Sequence, residues 1–492
     1  MQIKILDKIT IIYLILPMII FLVGWLNPIY ALISCAALIY VVSQVFKSLL
    51  KRKLEITKVQ LISLVTIALV WCILAGIGGL YYQSPDWHIR NAVFRDLINF
   101  SYPVIYDNGA ALVYYFGMFL PGAVVGKIAL YLHAAPETAF NIGNWFNLIY
   151  SSTGISLVFL QTLILTNAKK KQLFLVLFLF IFFSGLDILY GSKNNFSLLH
   201  IEVHHGFLEY SSNTTLLFWV YNQTIAPWLV TALFLRRPFN MSNYGFLGVL
   251  GLFSAPLPFI GLGIYMSLMT VVRFVRQFIK QHLKIFLKDL FSIRNILSIL
   301  ILMPVFYFFY ASNVTSKEDP IFFLNLPLMT VKFVLIEVGV YLICIFYKNI
   351  KNPIYYATVI SLFVCPFLFI PDLSMRVSIP ALFTLFVLVI KYLFSNKISK
   401  ILKTVISIAL LFGMVTPTIE FYRGYHLIYM NSKNLLLKDN IKTLNNKIEK
   451  NTKRIKIETG ENLQNFVIYK NYGAVDLNKQ IFFKYLAKKT RK

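Results

Sequence analysis

Residues 9–26, ITIIYLILPMIIFLVGWL, carry no charged side chain, and apolar runs of this kind recur along the whole chain. Such a run is long enough to cross a hydrocarbon core of about 30 Å, and a backbone in lipid must satisfy its N–H and C=O groups within its own segment. These runs are therefore expected to be helices. A soluble chain that is 58% hydrophobic, with a mean hydropathy of +0.70, would hold more apolar surface than one core could bury. The fold class predicted is an all-α polytopic membrane protein.

About thirteen spanning helices are expected, near 10–27, 29–46, 61–81, 140–166, 172–190, 213–235, 243–255, 257–274, 295–311, 328–347, 354–371, 379–395 and 401–419. The pair at 243–274 is broken by SAPLPFIG. The net charge of +27 raises nucleic acid as a partner, but its distribution argues against it. Lys and Arg fall in blocks between apolar runs: Lys47 to Lys58, Lys169 to Lys171, Arg236 and Arg237, Arg273 to Arg294, Lys348 to Lys351, and Lys397 to Lys403. This is the positive-inside pattern, which orients helices and meets anionic membrane lipid. A cytoplasmic N-terminus puts all six blocks inside, provided that 111–132 does not cross. Pro121, Gly117, Gly122, Gly126 and Lys127 suit a re-entrant or interface-lying helix there.

Cys35, Cys72, Cys344 and Cys365 lie within apolar runs without CxxC spacing and read as packing residues. Lys4 and Lys8 precede the first run as in a signal peptide. No small-residue cleavage site follows, so a retained helix is expected. The expected organisation is a membrane domain at 1–419, with a large exterior loop at 82–139 carrying interfacial helices, and a small basic exterior segment at 420–492. In that segment Leu437, Ile441, Leu444 and Ile448 have helical spacing, which suits an amphipathic cap over an exterior site.

The loop opens with QSPDWHIRNAVFRDLINFSYPVIYDNG at 83–109, dense in titratable groups for a chain only 14% charged. As a helix it puts Asp86, Arg90, Val93 and Leu97 on one face, and His88, Asn91 and Arg95 on another. A carboxylate at the outer surface can take a proton from a hydroxyl, and neighbouring cations can hold a phosphate. His88, Arg95 and Asp96 are read as acceptor contacts or structural groups.

The second exterior segment holds His200, Glu202, His204 and His205 in SLLHIEVHHGFLEY. The two-residue spacing of His200, Glu202 and His204 suits a Zn²⁺ or Mn²⁺ site on a strand, although HExxH and Cys partners are lacking. Substrate hydrogen bonding, and plain loop polarity, remain the other readings. Asp187 near a helix end and Glu337 in mid-span are carboxylates in costly places, where a functional role is the default expectation. Arg376, in PDLSMRVSIP, is placed to clamp a phosphate or to pair with Asp372. Trp145, Trp219, Tyr221 and Trp228 are expected in the interfacial belt.

The segment DWHIRNAVFRDL, the turn SYPVIY, the helix ALVYYFGMFLPGAVVGKI and the span that follows together resemble the GT-C-fold glycosyltransferases. That class spans the membrane many times and takes a polyprenyl-phosphate sugar as donor. The resemblance is local and architectural. It implies that Asp86 is the catalytic base and Arg376 a phosphate ligand, with Arg90 and Lys127 as further candidates. Two departures are visible: two spans precede the one that leads into the loop, and Trp87 and His88 follow Asp86 where a second acid would stand. The implied activity is transfer of a sugar from a polyprenyl-phosphate donor to a glycan or lipid acceptor of the cell envelope. A polysaccharide polymerase or ligase, and a transporter or flippase of lipid-linked glycans, are the alternatives.

Overall fold

A computed structural model of the protein describes residues 2–49, 54–191, 202, 208–317, 327–368, 371–396, 399–430, 441–448, 469 and 471–489. Within them the chain is almost wholly helical, and seven helices are long and apolar enough to cross a membrane. The order begins α1 (Ile3–Trp25), α2 (Pro28–Lys47), α3 (Lys58–Leu74), α4 (Trp87–Asn99), β1 (Ala111–Leu112), α5 (Leu120–Tyr131), α6 (Pro136–Thr166), α7 (Leu173–Ile181) and α8 (Ile188–Gly191). It continues with α9 (Asn213–Val220), α10 (Ile225–Arg236), α11 (Tyr244–Ser254), α12 (Pro256–Ile279), α13 (Leu283–Leu290), α14 (Ile293–Leu297) and α15 (Met303–Ala311). The last part holds α16 (Pro327–Val334), α17 (Val340–Asn349), α18 (Pro353–Leu368), α19 (Pro371–Val377), α20 (Ile379–Leu393), α21 (Lys400–Gly413), α22 (Val415–Met430) and β2 (Gly473–Ala474).

Several expected spans are interrupted, each for a local reason. Residues 213–235 break between α9 and α10 because Pro227 has no N–H to give the Gln223 carbonyl. Thr224 repairs part of the gap, its hydroxyl donating to the carbonyls of Val220 (2.9 Å) and Leu216 (3.2 Å). The segment 172–190 ends its helix at Ile181. Asn213 and Thr214 then cap the freed α7 carbonyls, donating to Phe180 (2.8 Å) and Ile181 (2.7 Å). The last expected span runs past 419: α21 stops at Gly413 and α22 carries the helix on to Met430. A Cβ on Gly413 would lie 2.9 Å from the Ser184 carbonyl, so glycine lets this bend touch the α7–α8 backbone.

The loop at 82–139 departs from expectation in one respect. Helix α4 is buried along nearly its whole length against α5 and α6, where an interfacial helix was predicted. Asn91, on its buried face, donates to Gln83 at 3.0 Å. Helix α5 has twelve residues, or about 18 Å, too short alone for a 30 Å core. It folds back against α6 at close range. A Cβ on Gly122 would meet the Gly143 carbonyl at 2.8 Å, the small-residue packing that lets helix backbones approach.

Contacts among the connectors define two ends. At one, Arg236 of α10 pairs with Asp7 of α1 (2.5 Å), while Gln161 of α6 bonds both Asp7 (3.1 Å) and Arg236 (3.1 Å). Nearby, Arg237 donates to the Ser48 carbonyl (2.5 Å), Arg294 reaches the Ser48 hydroxyl (3.4 Å), and Lys170 lies 3.6 Å from Glu55. The basic connectors after α2, α6, α10 and α13 therefore meet at the same end.

At the other end the C-terminal segment docks onto the first loop. Strands β1 and β2 pair antiparallel, Ala111 opposite Ala474 and Leu112 opposite Gly473. The Lys488 N–H donates to the carbonyl of Trp25 at 2.8 Å. Asp96 is the clasp. It accepts from Tyr106 (2.9 Å), from the Thr443 hydroxyl (2.6 Å) and from the Leu444 N–H (2.8 Å). The helical spacing predicted for 437–448 fails where it is described: 441–448 form an irregular turn, although Leu444 and Ile448 are buried. Asp96→Ala leaves three donors without their acceptor and should cost about 1–3 kcal/mol per buried group left unsatisfied. Hydrogen exchange should rise in 441–448 and 471–489; unchanged protection there would refute the clasp.

Candidate functional site

A cavity of about 520 Å³ opens at the tail-docked end, lined by groups from well-separated parts of the chain. Asp86 and Arg90 come from the start of α4, Tyr114 and Tyr115 from the loop after β1, Trp219 and Gln223 from the broken α9–α10 segment, Arg376 from α19 and Glu420 from α22. Tyr472, from the docked tail, forms part of the wall.

Asp86 is half-exposed and its Oδ2 lies 3.1 Å from Arg90 Nη2. Arg90 is buried; it also donates to the Trp219 carbonyl and lies over the Trp87 ring. The guanidinium is thereby fixed, and it fixes the carboxylate in turn. Arg376 faces the same cavity, with Nη1 3.5 Å from the Tyr115 hydroxyl. Tyr114 packs on Tyr115 (4.1 Å) and on Tyr472 (4.3 Å), so three tyrosines make one wall. Trp219 donates from Nε1 to Glu420 (3.2 Å), and Glu420 pairs with Arg423, whose guanidinium sits over the Trp219 ring.

Glu202 is buried on the cavity's inner side and accepts from the Thr215 hydroxyl (2.7 Å) and the Ser212 N–H (3.1 Å). Burial is the main reason its carboxyl is pushed well above the usual range, with Asp187, Glu209 and Glu420 adding repulsion. It keeps its proton where a free carboxylate would be ionised. A raised folded pKa gives stability that is full below the unfolded value and lost as pH climbs through the folded one. Thermal stability of the wild type should therefore fall as pH rises above the ordinary carboxylate range, and Glu202→Gln should flatten that part of the profile. Parallel profiles would contradict the assignment.

Of the residues singled out in the sequence, Asp86, Arg90, Glu202 and Arg376 line this cavity together. Others do not. Arg95 lies 3.5 Å from Glu137 and over the Phe140 ring. Asp96 is taken by the tail. Lys127 donates to the carbonyls of Ile98 (3.0 Å) and Phe100, closing the C-terminal end of α4. Asp187 is buried, accepting from Ser184 (3.0 Å) and Thr416 (2.9 Å). His88 is outside the cavity lining. Glu337 is buried in a π-turn of its helix, against Gly185. His200, His204 and His205 lie outside the described residues, as does the Asp372 side chain. Among the described residues no group of three His, Cys, Asp or Glu side chains is arranged to hold a metal.

Three lining acids and aromatics carried no sequence signal toward a site: Glu209, Glu420 and Tyr472. Trp219, expected in the interfacial belt, is a cavity residue. Tyr221 and Trp228 are fully buried, and Trp145 alone of that group is exposed. Comparison with protein-family models, curated proteins and solved structures gives no match for this chain.

Proposed function

We propose that the protein is a membrane glycosyltransferase that moves a sugar from a polyprenyl-phosphate donor to a glycan or lipid acceptor on the exterior face. The observation that carries this reading is that Asp86 and Arg376, far apart in sequence, line one cavity with an aromatic wall. In this reading the chain crosses the membrane about thirteen times, the basic end faces the cytoplasm, and the cavity end faces out. Arg376 neutralises the phosphate leaving group as the anomeric C–O bond breaks. Asp86, held by Arg90, takes the proton of the acceptor hydroxyl as that oxygen forms the new bond. Tyr114, Tyr115, Tyr472 and Trp219 offer flat faces to the apolar C–H side of a sugar ring. Glu202, carrying its proton, can donate a hydrogen bond to a substrate oxygen.

The test uses purified protein in liposomes, supplied first with a polyprenyl-phosphate monosaccharide and then with a polyprenyl-diphosphate oligosaccharide. Transfer from the monosaccharide donor supports the proposal. Chain extension from the second donor alone would make the protein a polymerase or ligase. Movement of intact donor across the bilayer, without transfer, would make it a flippase.

A further inference from the structure

The end opposite the cavity holds a second built feature. A cleft of about 500 Å³ lies among the connectors after α2, α10 and α12, lined by Ser48, Arg237, Phe239, Arg273, Asp289 and Arg294. Three guanidiniums face one carboxylate. Asp289 holds Arg273 and also accepts from Ser242 (3.1 Å). Arg273 donates in addition to the Phe239 carbonyl, which leaves its planar group rigid. Arg237 and Arg294 hydrogen-bond to neutral oxygens of Ser48, and carboxylates act on them only through space, Asp7 on Arg237 and Asp289 on Arg294. The cleft therefore keeps an excess of two positive charges at fixed positions.

The rim is apolar. Helix α13 carries Asp289 into the cleft, anchors itself through buried Phe286, and leaves Ile285, Leu287 and Phe291 exposed. Lys284 and Lys288 stand beside them on the same short helix. Exposed apolar groups flanking a basic floor match a molecule with a charged head and greasy tails, lying where the headgroup layer would be.

We propose that this cleft binds the phosphodiester headgroup of an anionic membrane lipid. Arg237 and Arg294 take the non-bridging phosphate oxygens, Arg273 backs them from its Asp289 anchor, and the acyl chains run along the apolar side of α13. The assignment does not depend on the transferase reading, since no cavity residue takes part.

The test labels the full-length wild-type protein in phosphatidylcholine vesicles with a diazirine-bearing phosphatidylglycerol. Labelled peptides should come from 237–240 and 283–297, and unlabelled phosphatidylglycerol should compete where phosphatidylcholine does not. Equal competition by the two lipids would overturn the proposal. Displacement by millimolar inorganic phosphate, as strong as by phosphatidylglycerol, would make the occupant a soluble anion and overturn it equally. The double variant R237Q/R294Q should lower labelling roughly thirtyfold, at the scale of two surface arginine–lipid contacts. Unchanged labelling of a folded variant would sink the site. Should the variant not fold, the wild-type competition still decides.

Discussion

Asp86→Asn is expected to lower sugar transfer by about 10²- to 10⁴-fold, the range over which a positioned general base acts. The protein should stay folded, because the Asn amide oxygen can still accept from Arg90, and Arg90 keeps its second bond to the Trp219 carbonyl. Asn is the informative choice. Alanine would leave a buried guanidinium without its carboxylate partner and mix a stability loss with the catalytic one. Single-turnover transfer in liposomes measures the effect, and thermal unfolding of the same preparation checks the fold. Near-wild-type transfer by a folded Asp86→Asn protein would remove Asp86 from the chemistry.

Arg376→Ala should cost about 10²- to 10³-fold in kcat, as expected when a preorganised donor is lost from a developing anion. Arg376→Lys should restore part of this, because it returns the charge without the planar fork. Thermal unfolding of both variants checks that the fold is kept. Donor turnover at saturating acceptor reads the effect. A variant that raises KM for the acceptor and leaves kcat unchanged would move Arg376 off the phosphate.

The helical class was plain in the sequence because an apolar run without charge has few other solutions. Asp86, Arg90 and Arg376 were legible because a charge beside a span must be explained. The same logic overreached with Arg95, Asp96 and Lys127, since type and position do not tell a substrate contact from a structural tie. Asp96 finds its partners at Thr443 and Leu444, far along the chain, and no periodicity reports such a pairing. Glu420 was missed for a different reason. The apolar pattern fades at 419 while the helix continues, because buried partners such as Arg423 and Trp219 satisfy what hydropathy counts as polar. The breaks in 172–190 and 213–235 were hidden because hydropathy averages over the Ser184–Asp187 and Tyr221–Gln223 turns. The second of those turns is what brings Gln223 to the cavity.

The docking of the tail bears on how this protein is made. Asp86 and Arg90 leave the ribosome long before Tyr472, yet they line one cavity. A nascent chain would insert its helices one after another while its cavity stayed open on one side. A half-built copy in the bilayer thus lacks the wall that Tyr472 completes, and maturation of the site becomes a post-insertion step, timed by when β2 finds β1.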